Sequence, residues 1–164
     1  MSNYWNTPGV PHKGWTLVDV HDVRGNGQAE WETDYESCMM CGQAKIRFVH
    51  IVSHKDMDDY FRVGCDCAEK LTSDYINPGM REKELKSRAA KRDRLLDKEW
   101  KYSKKGNMYL KYDDHRLLIF MDEKAGKWKC AIDDRFGKKS FVTSYEAKKA
   151  LVAGVFHLQD KAEW

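Results

Sequence analysis

The sequence predicts an α+β fold: an N-terminal β-hairpin with a four-cysteine module, a basic linking helix, and a C-terminal β-β-β-α unit. Three observations carry this. Four cysteines in two tight pairs, Cys38-Met39-Met40-Cys41 and Cys65-Asp66-Cys67, bracket a β-branched and aromatic run. A long stretch, 80–100, places apolar residues at helical spacing. Beyond it, short apolar runs separated by turn residues lead into a capped helical pattern. The expected boundaries are 1–76 for the hairpin and cysteine module, 77–102 for the basic helix, and 103–164 for the β-β-β-α domain.

Taken in order, Trp15 to Val23 reads as a strand and Arg24-Gly25-Asn26-Gly27-Gln28 as a turn, its glycines supplying positive φ. Ala29 to Tyr35 is then expected to return as the second strand of a hairpin and deliver the chain to Cys38. Lys45 to Ser53 is a clear strand, 55–59 an acidic loop, and Tyr60 to Val63 a second strand running into Gly64-Cys65. Asp66 to Leu71 has helix-forming composition, with Asp66 placed to cap its start.

Pro78-Gly79 punctuates the chain before the helix at Met80–Trp100. Leu85, Ala89, Leu96 and Trp100 fall on one side of it, and Lys83, Lys91, Arg94 and Lys98 cluster on the other at about 100° per residue. Strands follow at Met108–Tyr112, Arg116–Met121 and Trp128–Ile132, with a short fourth within Phe136–Val142. Thr143-Ser144 caps a helix from Tyr145 to about Leu158, with Glu146 in its first turn, where the helix dipole favours an acid.

The paired cysteines carry the chemistry. Pairs spaced two or three positions apart can each reach an ion from one tight turn, and two pairs fill the four-coordinate shell that structural zinc prefers. The sequence therefore predicts one structural Zn²⁺ on Cys38, Cys41, Cys65 and Cys67. Four thiolates leave no position for a reactive water, so the expectation is a non-enzymatic protein. Cys130 alternates with strand residues and reads as a small buried hydrophobe, a reactive thiol being the alternative.

The order of Cys-x-x-Cys-Gly knuckle, hairpin and ligand-bearing helix over residues 36–73 resembles the treble-clef group of zinc domains. Cys38, Cys41 and Gly42 match that pattern; the second pair departs from it, being Cys-x-Cys. The group serves nucleic-acid binding, protein binding and nuclease chemistry, so the resemblance implies a fold more than an activity. Val49-His50-Ile51-Val52-Ser53-His54 also resembles the hairpin of His-Asn-His nucleases, but the later Asn and His are missing before Leu71. Packed or surface histidines are the expectation. His21 with Asp19 and Asp22 lacks an accompanying nucleophile and reads as a polar strand face. The α-β-β-β-α order over 80–158, with lysines at 138–149, is loosely similar to a double-stranded-RNA-binding domain.

Composition bounds the rest. The 164 residues are 34% charged and 12% aromatic, which suits folded cores rather than disorder. No apolar run approaches the roughly 18 residues of a membrane span. Residues 1–11 lack a basic-then-apolar signal pattern, and the expectation is a soluble, cytoplasmic protein. The net charge of +3 is unevenly spread: residues 1–36 carry −4 and residues 75–112 carry +7. A basic ridge continued by Lys104 and Lys105 would attract phosphates, with Tyr102, Tyr109 and Tyr112 interleaved for stacking. The functional expectation is sequence-tolerant binding of DNA or RNA through Lys83, Lys91, Arg94, Lys98, Lys104 and Lys105. The alternative is a protein-interaction module of the kind a phage or plasmid would encode. Its acidic N-terminal segment, with Trp15 and Trp31, would cover a basic surface on a host nucleic-acid enzyme.

Overall fold

The computed structural model describes residues 3–25 and 27–164. It is α+β, with two antiparallel sheets and three α-helices. The chain divides into two units, Met1–Ala89 and Ala90–Trp164. The boundary falls within the helix that the sequence analysis sets apart as a linker.

The first unit holds β1 (Thr16–Asp22), β2 (Phe48–Ser53) and β3 (Phe61–Val63) in the sheet order β1-β2-β3. Helix α1 (Cys65–Thr72) follows directly on β3, and α2 (Asn77–Asp97) begins in this unit. Every residue of β2 from Phe48 to Val52 is buried, as expected of the central strand of a sheet covered on both faces. Trp15, Val49, Val52, Phe61, Val63, Ala68 and Leu71 share one core with Met40 and the thiols of Cys38 and Cys67.

The antiparallel partner of β1 is β2, with Val20 opposite His50, and not the segment 29–35. That segment is a 3₁₀ turn at Glu30–Glu32, which corrects the expected return strand. Its polar groups are satisfied locally. The Ala29 N–H donates to Glu32 Oε2 at 2.8 Å, and Thr33 Oγ1 donates to the Ala29 carbonyl at 2.9 Å. Arg24 then ties it to the end of β1, donating to Thr33 Oγ1 at 3.0 Å and to the Tyr35 hydroxyl at 2.6 Å. Asn26 of the turn lies outside the described residues. Gly27 has the expected positive φ of 77°, whereas Gly25 does not have one.

Two helix starts also differ from expectation. Gly64, not Asp66, is the N-cap of α1, and Asp66 sits inside the first turn. Helix α2 starts before Pro78, which occupies the first turn, where its missing N–H costs nothing. Asp74 supplies the acceptor there, taking the N–H groups of Ile76 and Asn77 at 2.9 Å each. These donors hold the Asp74 carboxyl below its ordinary pKa.

The second unit is a five-stranded meander in the order β4-β5-β6-β7-β8. Its strands are β4 (Lys101–Tyr102), β5 (Met108–Tyr112), β6 (His115–Asp122), β7 (Lys127–Ile132) and β8 (Arg135–Phe136). The three central strands match expectation. The short fourth strand expected within Phe136–Val142 is instead β8 at Arg135–Phe136, with Phe141 making only an isolated bridge to Trp128. The edge strand β4 is not anticipated, and neither two-residue strand is long enough to show a period. Asp113 and Asp114, with φ of 50° and 63°, form the two-residue β5–β6 connection, as a type I′ turn requires. Helix α3 (Ser144–Asp160) begins at Thr143, whose Oγ1 accepts the Glu146 N–H at 3.1 Å.

Alternation along the strands sends Met108, Leu117, Ile119, Cys130 and Ile132 to one face. There they pack with Leu151, Val152, Val155 and Phe156 of α3 and with Leu95, Leu96 and Trp100. Among the described residues, no helix is long and apolar enough to cross a membrane.

Candidate metal centre and nucleic-acid interface

The knuckle is a tight turn built on hydrogen bonds to Cys38. Its N–H donates to the Gln43 carbonyl, and its carbonyl accepts the Gly42 N–H, both at 2.8 Å. Gly42 takes a φ of 76°, which a side chain would strain. The Met39 N–H donates to the Arg62 carbonyl, tying the knuckle to β3, and the Arg62 guanidinium grips Glu36 at 2.6 and 2.8 Å. Gly64 carries the chain from β3 into α1; a Cβ there would stand 3.2 Å from Ile46 Cδ1. The result brings the first helical turn against the knuckle.

The Sγ atoms of Cys38, Cys41 and Cys67 lie within 4.8 Å of one another, close enough to share a metal ion. Cys38 and Cys67 are buried and Cys41 is exposed. The Cys67 thiol donates to Cys38, whose sulfur also receives the N–H groups of Cys41, Gly64 and Met40. Together they pull the Cys38 thiol down to about 5. Cys67 moves the other way, raised by its bond to Cys38 and by burial, while the Trp5 side chain hydrogen-bonds to it. Three sulfurs this close together, with backbone N–H groups gathered on Cys38, are a donor set that suits a cation.

Both residues of the second cysteine pair are on α1, but they face different neighbours. The Sγ of Cys65 groups with His50 and Glu82, their ligand atoms again within 4.8 Å of one another. His50 is fully buried, and its Nε2 stands 2.9 Å from Glu82 Oε2. Its Nδ1 has no hydrogen-bond partner among the described residues. The His50 bond and, after it, Lys86 at 3.1 Å hold Glu82 down at about 2 against the opposing effect of burial. Burial first, then Glu82 and Glu69, push the Cys65 thiol up to about 12. Glu82 has no local signature in the sequence, lying 32 residues from the histidine it meets.

The other histidines take structural positions. His54 packs 5.3 Å from the Trp15 ring and accepts the Asp56 N–H. His21 meets Asp19 at 2.9 Å on the exposed side of β1, and Asp19 also takes Arg81 at 2.9 Å. Cys130 is buried, and desolvation raises its thiol pKa. Trp15 is 3% exposed and donates its indole N–H to the Pro11 carbonyl, so it belongs to the core and not to a protein-binding surface. Trp31 is 84% exposed.

Lys83, Lys91, Arg94, Lys98, Lys104 and Lys105 are all exposed; Lys83 lies in the first unit and the other five in the second. None of the six forms an ion pair among the described residues, and Lys98 Nζ sits 5.1 Å over the Tyr112 ring. Of the interleaved tyrosines, Tyr102 is 69% exposed and Tyr112 packs against the core.

Sequence reasoning did not find the second face of the five-stranded sheet. The register places Lys101 beside Tyr109, Tyr109 beside Leu118, Lys111 beside Arg116, Phe120 beside Lys129, and Ala131 beside Phe136. These residues point away from the α3 side. Lys111, Arg116 and Phe136 are exposed, while Tyr109, Leu118 and Phe120 are half-buried. The acid in register with them, Asp122, is neutralised by Lys129 at 3.2 Å. Two clefts open on this face. One, of about 580 Å³, is lined by Tyr109, Lys111 and Arg116 together with Asp114 and Asp133; the other, of about 410 Å³, by Lys105, Phe120 and Phe136 together with Glu123.

Compared with known proteins, the chain matches no family model, no curated protein and no solved structure.

Proposed function

We propose that the chain is a non-enzymatic, zinc-stabilised binding protein of the cytoplasm whose second unit takes up nucleic acid without sequence preference. Zinc is the ion that suits thiolates in a small fold, and Cys38, Cys41 and Cys67 would hold it in the treble-clef manner. The sheet face opposite α3 carries the nucleic-acid reading. It combines aromatic rings at Tyr109, Phe120 and Phe136 with bases at Lys101, Lys111 and Arg116, and a paired acid at Asp122. Aromatic faces accept any base by stacking, and unpaired cations track phosphates, which together favour single strands over duplex. Lys91, Arg94, Lys98, Lys104 and Lys105 would add phosphate contacts from the same unit. Lys83 would contribute positive charge from the first.

The test is a gel shift on single-stranded DNA and RNA across a salt series. Binding should weaken steeply with salt, by about 0.7 in the logarithmic slope for each phosphate contact. Reversing Lys91, Arg94 and Lys98 to glutamate should flatten that slope. Phe120→Ala with Phe136→Ala should cost about 1–3 kcal/mol per stacked base and leave the slope alone. Binding that is absent at low salt rejects the reading.

A second reading rests on the exposed Trp31, flanked by Glu30 and Glu32 and lining a cleft of about 410 Å³ with Thr33, Tyr35 and Lys45. An aromatic anchor within an acidic segment suits a basic protein surface, such as that of a nucleic-acid enzyme. Capture of one protein that survives nuclease treatment and is lost in Trp31→Ala would favour it.

A further inference from the structure

We infer that Cys65, His50 and Glu82 form a second divalent-cation site, separate from the Cys38–Cys41–Cys67 cluster and built for a zinc-class ion. The inference does not depend on nucleic-acid binding.

Geometry comes first. Bonds of about 2.0–2.3 Å at tetrahedral angles put donor atoms about 3.3–3.8 Å apart. The three donor atoms here lie within 4.8 Å of one another, with His50 Nε2 and Glu82 Oε2 at 2.9 Å. Adjustments of about 1 Å would therefore bring all three onto one ion. They arrive from three elements, β2, α1 and α2, all in the first unit. Such convergence does not come from helix periodicity, which spaces neighbours along one element.

The second observation is the state of His50. Its imidazole is wholly buried, one nitrogen is directed at Glu82, and the other has no partner among the described residues. A buried ring nitrogen without a partner costs about 1–3 kcal/mol. A buried polar atom left so is a mark of an ion, a water or a chemical role at that place. An ion bonded through Nε2 does not reach Nδ1, so the unpartnered atom marks His50 as a ring held for more than packing, and the geometry of the three groups carries the site.

Charge points the same way. The Cys65 sulfur lies 3.5 Å from Glu69 Oε1 as well as close to Glu82, so two carboxylates crowd one thiol. Lys86 pairs with Glu82 at 3.1 Å, and among the described residues no Lys or Arg forms an ion pair with Glu69. Binding would release to solvent both the Cys65 thiol proton and the proton that His50 Nε2 shares with Glu82, leaving a thiolate, a neutral imidazole and a carboxylate around the dication. Sulfur and imidazole donors select zinc or cobalt over magnesium or calcium. Three protein donors leave a fourth position for solvent, here as in the Cys38–Cys41–Cys67 cluster.

The test is metal stoichiometry of the full chain, loaded with Zn²⁺ for native mass spectrometry and with Co²⁺ for absorption. The wild type should bind two equivalents. Glu82→Gln, which keeps the shape and a hydrogen-bonding group, should lose one equivalent and retain the intense sulfur-to-cobalt bands of the three-cysteine cluster. His50→Ala should do the same, and the Glu82→Gln result decides alone if that variant does not fold. A single equivalent in the wild type overturns the inference. So do two equivalents retained in Glu82→Gln. One equivalent whose sulfur bands fall by about a quarter in Cys65→Ser would show instead that the four cysteines serve one ion.

Discussion

The two units solve the same problem, burying enough apolar surface, with different means. In the second unit, thirteen buried residues from the end of α2, Trp100 after it, the sheet and α3 form one core in which Cys130 is the sole sulfhydryl. No metal-ligating group of three or more occurs there among the described residues. The first unit sets two thiols, Cys38 and Cys67, into its core beside Met40 and Leu71, and takes its chain through a 3₁₀ turn and long loops between β1 and β2. A thiol cluster at the centre of a small core is apolar filling only while its protons stay on; with an ion bound it becomes a covalent-strength staple. The first unit should therefore depend on metal and the second should not.

Removing an ion from Cys38, Cys41 and Cys67 should give the largest effect. Structural zinc contributes about 10–16 kcal/mol of apparent binding free energy in small modules. Chelation, or Cys67→Ser, should therefore abolish amide protection in β1, β2, β3 and α1. Protection should persist in β6, β7 and α3. Hydrogen exchange read by mass spectrometry resolves the two sets of peptides. Equal loss in both units would break the comparison, and unchanged protection in the first would remove the staple.

The converse experiment acts on the second core. Leu117 is fully buried between β5 and β7, so Leu117→Ala should cost about 2–5 kcal/mol from lost transfer energy and the cavity left behind. Urea unfolding followed by exchange in β6 and α3 measures it. The cobalt bands of the thiol cluster should stay as in the wild type. Their loss at native urea concentrations would mean that the metal cluster senses the second core.

The same contrast explains what the sequence could reveal. In the second unit, local signals suffice: strand alternation at 108–112, 116–121 and 128–132, a threonine cap, and a helix with Ala147, Leu151 and Phe156 on one side. The chain is a meander there, so each strand pairs with the next, and reading along the sequence is reading across the sheet. In the first unit, β1 pairs with a strand that begins 26 residues after it ends, and Ala29–Tyr35 looks like the nearer partner. What displaces it is the side chain of Arg24 reaching Thr33 and Tyr35, a contact with no period. Three members of the thiol cluster, Cys38, Cys41 and Cys67, are legible because cysteine pairs stand out in a sequence, whereas the grouping of Cys65 with His50 and Glu82 is not. The role of Glu82 was hidden, since a carboxylate on a charged helix is indistinguishable from its neighbours until His50 stands opposite. The open sheet face was hidden for a related reason: Tyr109, Phe120 and Phe136 meet only through register.

A smaller effect sharpens the second unit. Thr143 Oγ1 accepts the Glu146 N–H, one of the first-turn donors of α3 with no carbonyl of its own. Thr143→Ala should cost about 1 kcal/mol, with Thr143→Ser restoring most of it. Exchange should quicken first at residues 145–147. A change confined to the first unit would contradict the division of the chain.

The smallest effect is a pH dependence that belongs to the second unit alone. Asp133 follows β7 with a φ of 52°, and its carboxylate accepts the Arg116 N–H at 2.8 Å and meets His115 Nδ1 at 2.6 Å. The Arg116 N–H first, then His115, hold its pKa below the ordinary value. The folded state thus binds this proton less readily than the unfolded chain. The contribution is complete above the unfolded value of about 3.9 and is lost as pH falls through the depressed folded value. Asp133→Asn keeps a residue that tolerates the left-handed backbone but cannot titrate. Between pH 5 and pH 2.5 the wild type should lose more of its β6–β7 exchange protection than the variant, while at pH 7 the wild type should be the better protected of the two. An ion held by Cys38, Cys41 and Cys67 would be lost to protons in that same range, so the comparison must be read within β6 and β7. Parallel acid profiles for the two proteins would assign the carboxylate no part in holding the β7–β8 turn.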